Sequence, residues 1–364
     1  MRQTSSEIVT RCLEFNYPER IPQDVWILPW FTSRYPHVSN NLIKIFKSDI
    51  EFAANVYNPS EKIKSDPYAE GIFVDEWGCE FRNIQPGIIG EVKSPMVKDI
   101  SEWQVVQPPY EILPDNKSKA RDDVNLHCAK SDKFIIGPGA LIKQNPQPPF
   151  KSYFNFARPW ERYQFLRGTE NAMMDLLDFN RNHRNLLKRI HDYFLKELEF
   201  WVSTDIDAIW FMDDWGAQNQ LLIPPQIWKD IFKPLYRDYC DLAHSNDKFV
   251  FMHSDGCIID IYDDLIEIGV NAVNSQIFCM DMKQLQKYKG RITFWGEIDR
   301  QHVMPDLNPQ KGQQAVRQVM EFLYDPAGGV IAQFEVGPGA NPDTVEAVAK
   351  EWLKIQEEIT LNKK

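Results

Sequence analysis

The chain has 364 residues, 43% hydrophobic and 13% aromatic, enough for a large core and unlike a disordered or fibrous composition. Its net charge of −11 repels nucleic-acid phosphate and anionic lipid, which argues against both as general partners. No apolar run approaches the roughly 18 residues a membrane helix needs, the start lacks a signal-peptide core, and the six cysteines form no Cys-x-x-Cys pair. The cysteines read as reduced thiols, so a cytoplasmic protein without membrane or nucleic-acid partners is expected.

In chain order, residues 1–130 are irregular and rich in Pro, Trp and Tyr, with one early strand over Gln23–Leu28. Residues 71–84 read as a hairpin laid over the mouth of the fold. From about 132 onward, short apolar runs alternate with amphipathic ones, the signature of a parallel α/β fold. Strands are predicted over 134–136, 208–212, 249–252, 272–275, 292–295 and 330–334. Helices are predicted over 183–203, 225–246, 258–268, 309–324 and 342–359, where apolar residues recur at helical spacing. Residues 140–168, with Tyr153, Phe154, Phe156 and Trp160, read as a long loop, a lid or binding loop. Near-continuous apolar strands imply a sheet covered on both faces. Seven or eight strand–helix units favour a closed (β/α)8 TIM barrel. It would be a single domain over 1–364, with an elaborated N-terminal region, a core at 131–364 and lid loops.

Nearly every strand in the second half ends in a polar or ionisable residue, and barrel active sites lie at the C-terminal strand ends. Asp213, Asp214, His253, Asp255, Gln276, Glu297, Asp299 and Glu335 are therefore expected at one mouth. The plain alternative is that some cap a following helix. Pro224-Pro225 already initiates the helix at 225, which weakens that alternative for the aspartates. His253 and Asp255 have His-x-Asp spacing, and Glu335, or less favourably Cys257, would complete a three-ligand metal site. His, Asp and Glu are harder than thiolates, so zinc, manganese or iron would suit them. Asp213 and Asp214 are paired carboxylates able to split their pKa values into acid and base roles, with Gln218 on the same loop. Gly137-Pro138-Gly139 and Gly337-Pro338-Gly339 lack a phosphate-loop pattern and read as tight turns.

Several segments resemble the uroporphyrinogen decarboxylase superfamily, which includes corrinoid-dependent methyltransferases. They are Phe165-Leu166-Arg167-Gly168-Thr169-Glu170-Asn171, Asp213-Asp214-Trp215-Gly216-Ala217-Gln218, and Leu222-Ile223-Pro224-Pro225-Gln226-Ile227-Trp228 with Lys233-Pro234. Then come His253-Ser254-Asp255-Gly256, Asp264-Leu265-Ile266-Glu267-Ile268-Gly269-Val270 and Phe294-Trp295-Gly296-Glu297-Ile298-Asp299. Arg20-Ile21-Pro22 and Asp75-Glu76-Trp77-Gly78 agree more loosely. The resemblance is densest over 158–345 and implies a (β/α)8 barrel.

Three departures matter. The decarboxylases' arginine-rich N-terminal loop falls here on Trp26-Ile27-Leu28-Pro29-Trp30-Phe31-Thr32-Ser33-Arg34, where only Arg34 is basic. Their histidine in the last strand-end loop falls near Glu335. The methyltransferases' zinc site, a His-x-Cys pair and a later Cys, falls on His253-x-Asp255 and near Glu335. The resemblance therefore implies a methyltransferase-like enzyme for a small-molecule substrate. His253, Asp255 and Glu335 would hold a divalent metal, zinc first. Asp213, Asp214, His253 and Glu297 would be catalytic. Arg34, Asp75, Arg167, Gln218, Gln276 and Asp299 would meet substrate. A corrinoid carried by a separate protein is the implied partner, and a homodimer the default assembly. The alternatives are a decarboxylase of a tetrapyrrole or other acid, and a non-catalytic ligand-binding barrel.

Overall fold

The computed structural model describes residues 3–139 and 156–362. Its strands are β1 (Gln23–Ile27), β2 (Ile50–Phe52), β3 (Gly71–Val74), β4 (Glu80–Asn83), β5 (Glu91–Val92), β6 (Phe134–Gly137), β7 (Ala208–Met212), β8 (Phe249–Ser254), β9 (Ala272–Ser275), β10 (Thr293–Phe294) and β11 (Ala332–Val336). A parallel sheet has the order β10-β9-β8-β7-β6-β2, and β1 pairs in parallel with β11. The single eight-stranded ladder expected from the sequence is thus divided into six strands and two. The cause is the brevity of β2, with three residues, and β10, with two, which leaves little backbone for pairing at the seams. At one seam the Asp49 amide donates to the Gln23 carbonyl at 2.7 Å. At the other, Phe294 forms a parallel bridge with Val330.

Side chains alternate faces along a strand, and the curled sheet uses that alternation. Ile50, Phe134, Ile136, Ala208, Trp210, Phe251, Ala272, Trp295 and Ile331 pack into one buried inner cluster, with Trp26, Phe52 and Met212 against it. The N-terminal helix Ser5–Leu13 adds Val9, Cys12 and Leu13 to the same cluster. It seals the end of the sheet opposite the C-terminal strand ends. The intervening positions, such as Ile209, Phe211, Val250 and Met252, belong to the larger outer core beneath the helices. The helix Arg181–Trp201 buries Leu186, Leu187, Ile190, Phe194 and Leu198 there.

Several boundaries differ from the sequence reading. The 225–246 stretch is two helices, Pro225–Ile231 and Lys233–His244, because Pro234 cannot continue the ladder of the first. The 258–268 stretch opens with a 3₁₀ turn before the helix Tyr262–Glu267. β2 and the helix Lys117–Lys130 lie in the part read as irregular. The hairpin at 71–84 is present as β3 paired with β4, extended by β5. Of the long loop at 140–168, residues 140–155, with Tyr153 and Phe154, lie outside the described residues. Pro159–Arg167 is a helix rather than loop. No described helix is long and apolar enough to cross a membrane.

Candidate functional site

Counting by twos along the inner face leads from Trp210 and Met212 to Asp214, and from Phe251 to His253 and Asp255. The same count leads from Ala272 to Asn274 and Gln276, and from Ile331 to Gln333 and Glu335. These residues face the mouth at the C-terminal strand ends. His253 is buried, and its Nδ1 lies 2.5 Å from Asn274 Oδ1. The Asn274 amide donates to the Trp295 carbonyl, so its oxygen is the group facing the imidazole. Nδ1 therefore carries the proton, and the lone pair of Nε2 is left for the site. Nε2 lies 3.6 Å from Asp214 Oδ1 and 3.5 Å from Asp255 Oδ1. One ligand atom each from Asp214, His253 and Asp255 fall within 4.8 Å of one another.

The two carboxylates come from different loops locked together by their backbones. The Asp255 amide donates to Asp214 Oδ1 at 2.9 Å. The Gly216 amide donates to the Asp255 carbonyl at 3.0 Å, and the Cys257 amide to the Ala217 carbonyl at 2.8 Å. A Cβ on Gly216 would meet Gly256 C at 2.3 Å, and one on Gly256 would meet Gly216 O at 2.2 Å. Gly256 also has a φ of +75°, which L side chains rarely adopt. Both glycines are required for this approach.

Arg300 organises the other side of the mouth. It pairs with Asp255 through Nη2, with Glu335 Oε1 through Nη1 at 2.6 Å, and with Glu297 Oε2 through Nε at 2.8 Å. Burial would raise the Asp255 carboxyl, but His253, when it is protonated, and the charge and hydrogen bond of Arg300 outweigh it and hold it below its usual range. Asp214 is pushed up by burial and by the Asp255 charge, which His253 and Arg300 offset only in part. Burial drives Glu297 well above its usual value, only partly offset by Arg300. Glu161 is raised well above its usual value in the same way, with Asp214 as the next cause. Clefts beside this cluster are lined by Gln276, Cys279, Glu297 and Arg300, and by Gln276, Arg300, Glu335 and Pro338.

Of the residues singled out from the sequence, Asp214, His253 and Asp255 form the candidate ligand group. Glu335 is not part of that group; its Oε1 meets Arg300 Nη1 instead. Asp213 points to the outer face, one step out of phase with Asp214. Its oxygens accept from the amides of Trp160 and Glu161, both at 2.8 Å, and from the Tyr236 hydroxyl at 2.7 Å. It caps the helix Pro159–Arg167, a helix not read from the sequence. Burial outweighs those bonds and pushes its carboxyl up to about 7. Asp75 is buried against Arg162 and accepts from the Trp77 and Cys79 amides. Arg167 is spent on Asp175 and on the Val97 and Lys98 carbonyls. Asp299 caps its own turn through the Gln301 and His302 amides. Arg34 is exposed and lies over the Trp30 ring at 4.0 Å. Gln218 reaches Cys279 Sγ at 3.6 Å, and Gln276 Oε1 accepts from the Gly256 amide at 3.1 Å. Arg300, Asn274 and Glu161 were missed. Asn274 alone carried a signal, as a polar residue inside an apolar strand.

The chain has a parallel α/β fold with ionisable residues gathered at its C-terminal strand ends, the end at which barrel enzymes carry their sites. The family model described as uroporphyrinogen decarboxylase (URO-D) matches residues 157–355. The chain belongs to that family. It is similar in fold to a methyltransferase from Methanosarcina mazei, with a TM-score of 0.65 at 12% identity, covering 97% of this chain and 99% of that one. A B12-independent methionine synthase from Shewanella sp. W3-18-1 matches at a TM-score of 0.37 and 12% identity, over 58% of this chain and 70% of that one. No curated protein matches the chain.

Proposed function

We propose that this URO-D family member is a methyltransferase-like enzyme whose strands close into a barrel. Its mouth would hold a divalent metal, zinc first, on Asp214, His253 and Asp255. The observation that carries this reading is the approach of one imidazole nitrogen and two carboxylate oxygens within 4.8 Å. Nitrogen and oxygen donors of this kind fit a divalent ion with an open position. Barrel closure is supported by the two seam contacts and by the shared inner cluster. The likeness to the Methanosarcina protein motivates methyl transfer, with the corrinoid on a separate protein as the methyl source.

The metal would supply Lewis acidity to a bound small-molecule acceptor. Asn274 keeps the Nε2 lone pair of His253 directed at the site. Arg300 keeps Asp255 ionised and anchors Glu335. Glu297, pushed up by burial beside the cleft, would be positioned to exchange a proton with a bound molecule. The tetrapyrrole decarboxylase reading has less support, because Arg34 and Arg167 bind no mouth group and a polycarboxylate would lack bidentate partners.

Metal analysis after zinc loading and dialysis tests this reading. The wild-type protein is expected to retain one equivalent. His253→Ala and Asp214→Ala are expected to lose it. Equal, negligible retention in wild type and His253→Ala sinks the metal.

A further inference from the structure

Arg300 shares a donor atom with the candidate ligand group. Asp255 Oδ1 lies 3.5 Å from His253 Nε2, and the same oxygen accepts from Arg300 Nη2. An ionised carboxylate oxygen has lone pairs for two partners, so the guanidinium does not block a metal there. It does set a permanent positive charge beside a dication. Their repulsion is stronger in a partly buried site than in water. The rest of the guanidinium is anchored as well: Nε lies 2.8 Å from Glu297 Oε2, and Nη1 lies 2.6 Å from Glu335 Oε1. Nη1 and Nη2 sit on one carbon, so Asp255 Oδ1 and Glu335 Oε1 are neighbours across one edge of the fork.

Glu335 is thereby the carboxylate next in line for the ligand group, and Arg300 is what holds it. Both line a cleft of about 280 Å³ with Gln276 and Met304, and Arg300 is 21% exposed. The guanidinium therefore has open space beside it. Arg158 offers a contrast. It follows Ala157, which bridges to Phe211, so it too stands at the C-terminal end of the sheet. Its guanidinium lies against the Phe156 and Phe165 rings, at 4.8 and 5.3 Å, and meets none of Asp214, His253 and Asp255 among the described contacts. Position, and not charge alone, distinguishes Arg300.

We infer, on the reading of a metal at this mouth, that Arg300 is a positioning residue that weakens that metal through Asp255 and holds Glu335 out of its reach. The ion then keeps three protein ligands and an open position, the arrangement of catalytic rather than structural metal sites. Without the guanidinium, Glu335 fills that position and the site closes more tightly.

Zinc affinity, read by competition with a chromophoric chelator at about pH 8, where carboxylates ordinarily ionise, tests this. Each variant is checked for folding by near-UV circular dichroism. Arg300→Met is expected to bind zinc about tenfold or more tightly than the wild type. A damaged fold cannot produce such a gain. Glu335→Gln alone is expected to stay within about threefold of the wild type, but to take about threefold or more from the gain when combined with Arg300→Met. Arg158→Met removes the same charge away from the ligands and is expected to change affinity by less than about threefold. Arg300→Gln repeats the test if Arg300→Met does not fold. Equal or weaker zinc binding by the folded Arg300 variant, or an equal gain in Arg158→Met, overturns the inference. A gain that Glu335→Gln leaves intact overturns the part given to Glu335. Zinc bound by the wild type and no more tightly by the Arg300 variant sinks only this inference. Zinc bound by the Arg300 variant alone sinks the metal in the wild type and leaves the inference standing, and zinc bound by neither sinks both.

Discussion

Two arginines, one buried and one partly exposed, each gather carboxylates, and they do opposite things. Arg162 reaches from the helix Pro159–Arg167 to the hairpin turn. It pairs with Asp75 at 2.5 Å and Glu76 at 3.1 Å, and all three side chains are sealed from water. That cluster bolts the hairpin to the fold. Arg300 is 21% exposed, with three carboxylates and a cleft beside it. Charge sealed among its partners marks architecture, while charge opening onto a cleft is open to a ligand.

The comparison breaks most readily at Arg162. Arg162→Met is expected to cost about 3–5 kcal/mol, because it strands two buried carboxylates. Arg300→Met is expected to cost on the order of 1 kcal/mol, since the carboxylates it leaves behind can take up protons instead. Urea unfolding of both reads the difference, and equal losses would erase the distinction.

Asp24 sharpens the contrast as a buried inner-face carboxyl with no arginine. Burial outweighs its bonds from Ser48 and Trp295 and pushes it up to about 6 from 3.8. The folded state then binds the proton more tightly than the unfolded one. Stability is full below about pH 4 and falls as pH rises through about 6, by on the order of 3 kcal/mol. Asp24→Asn is expected to remove that part of the slope in urea unfolding followed from pH 4 to 7; an unchanged slope contradicts the assignment.

The neighbouring aspartates divide the same two jobs within one dipeptide. Asp213→Ala is expected to lose about 2 kcal/mol through its cap while zinc retention holds. Asp214→Ala is expected to lose zinc with stability changed by less than about 1 kcal/mol. Thermal unfolding and metal analysis on one preparation decide, and a swapped pattern would reverse the inner and outer assignments.

Much of this was legible beforehand. Strand ends rich in acids located the mouth, and His253 followed from its place after Phe251 and Met252. The split between Asp213 and Asp214 was also within reach, since alternation from Trp210 puts only Asp214 inside. Its cap partner was not, because Pro159–Arg167 sits in a proline-rich stretch that reads as loop. Arg300 follows a two-residue strand and an irregular segment, where alternation gives no direction. Glu335 matched the position of a ligand, yet its orientation depends on that unforeseen arginine. β2 is too short to show a period.

The glycine-to-glycine contact at Gly216 and Gly256 has a consequence for redesign and for divergence alike. The segments carrying Asp214 and Asp255 behave as a single two-loop cassette. Replacing either alone would force a side chain into its neighbour's backbone. New chemistry at this mouth must therefore be grafted as a pair, or introduced from the Arg300 side, where no such backbone lock is present among the described residues.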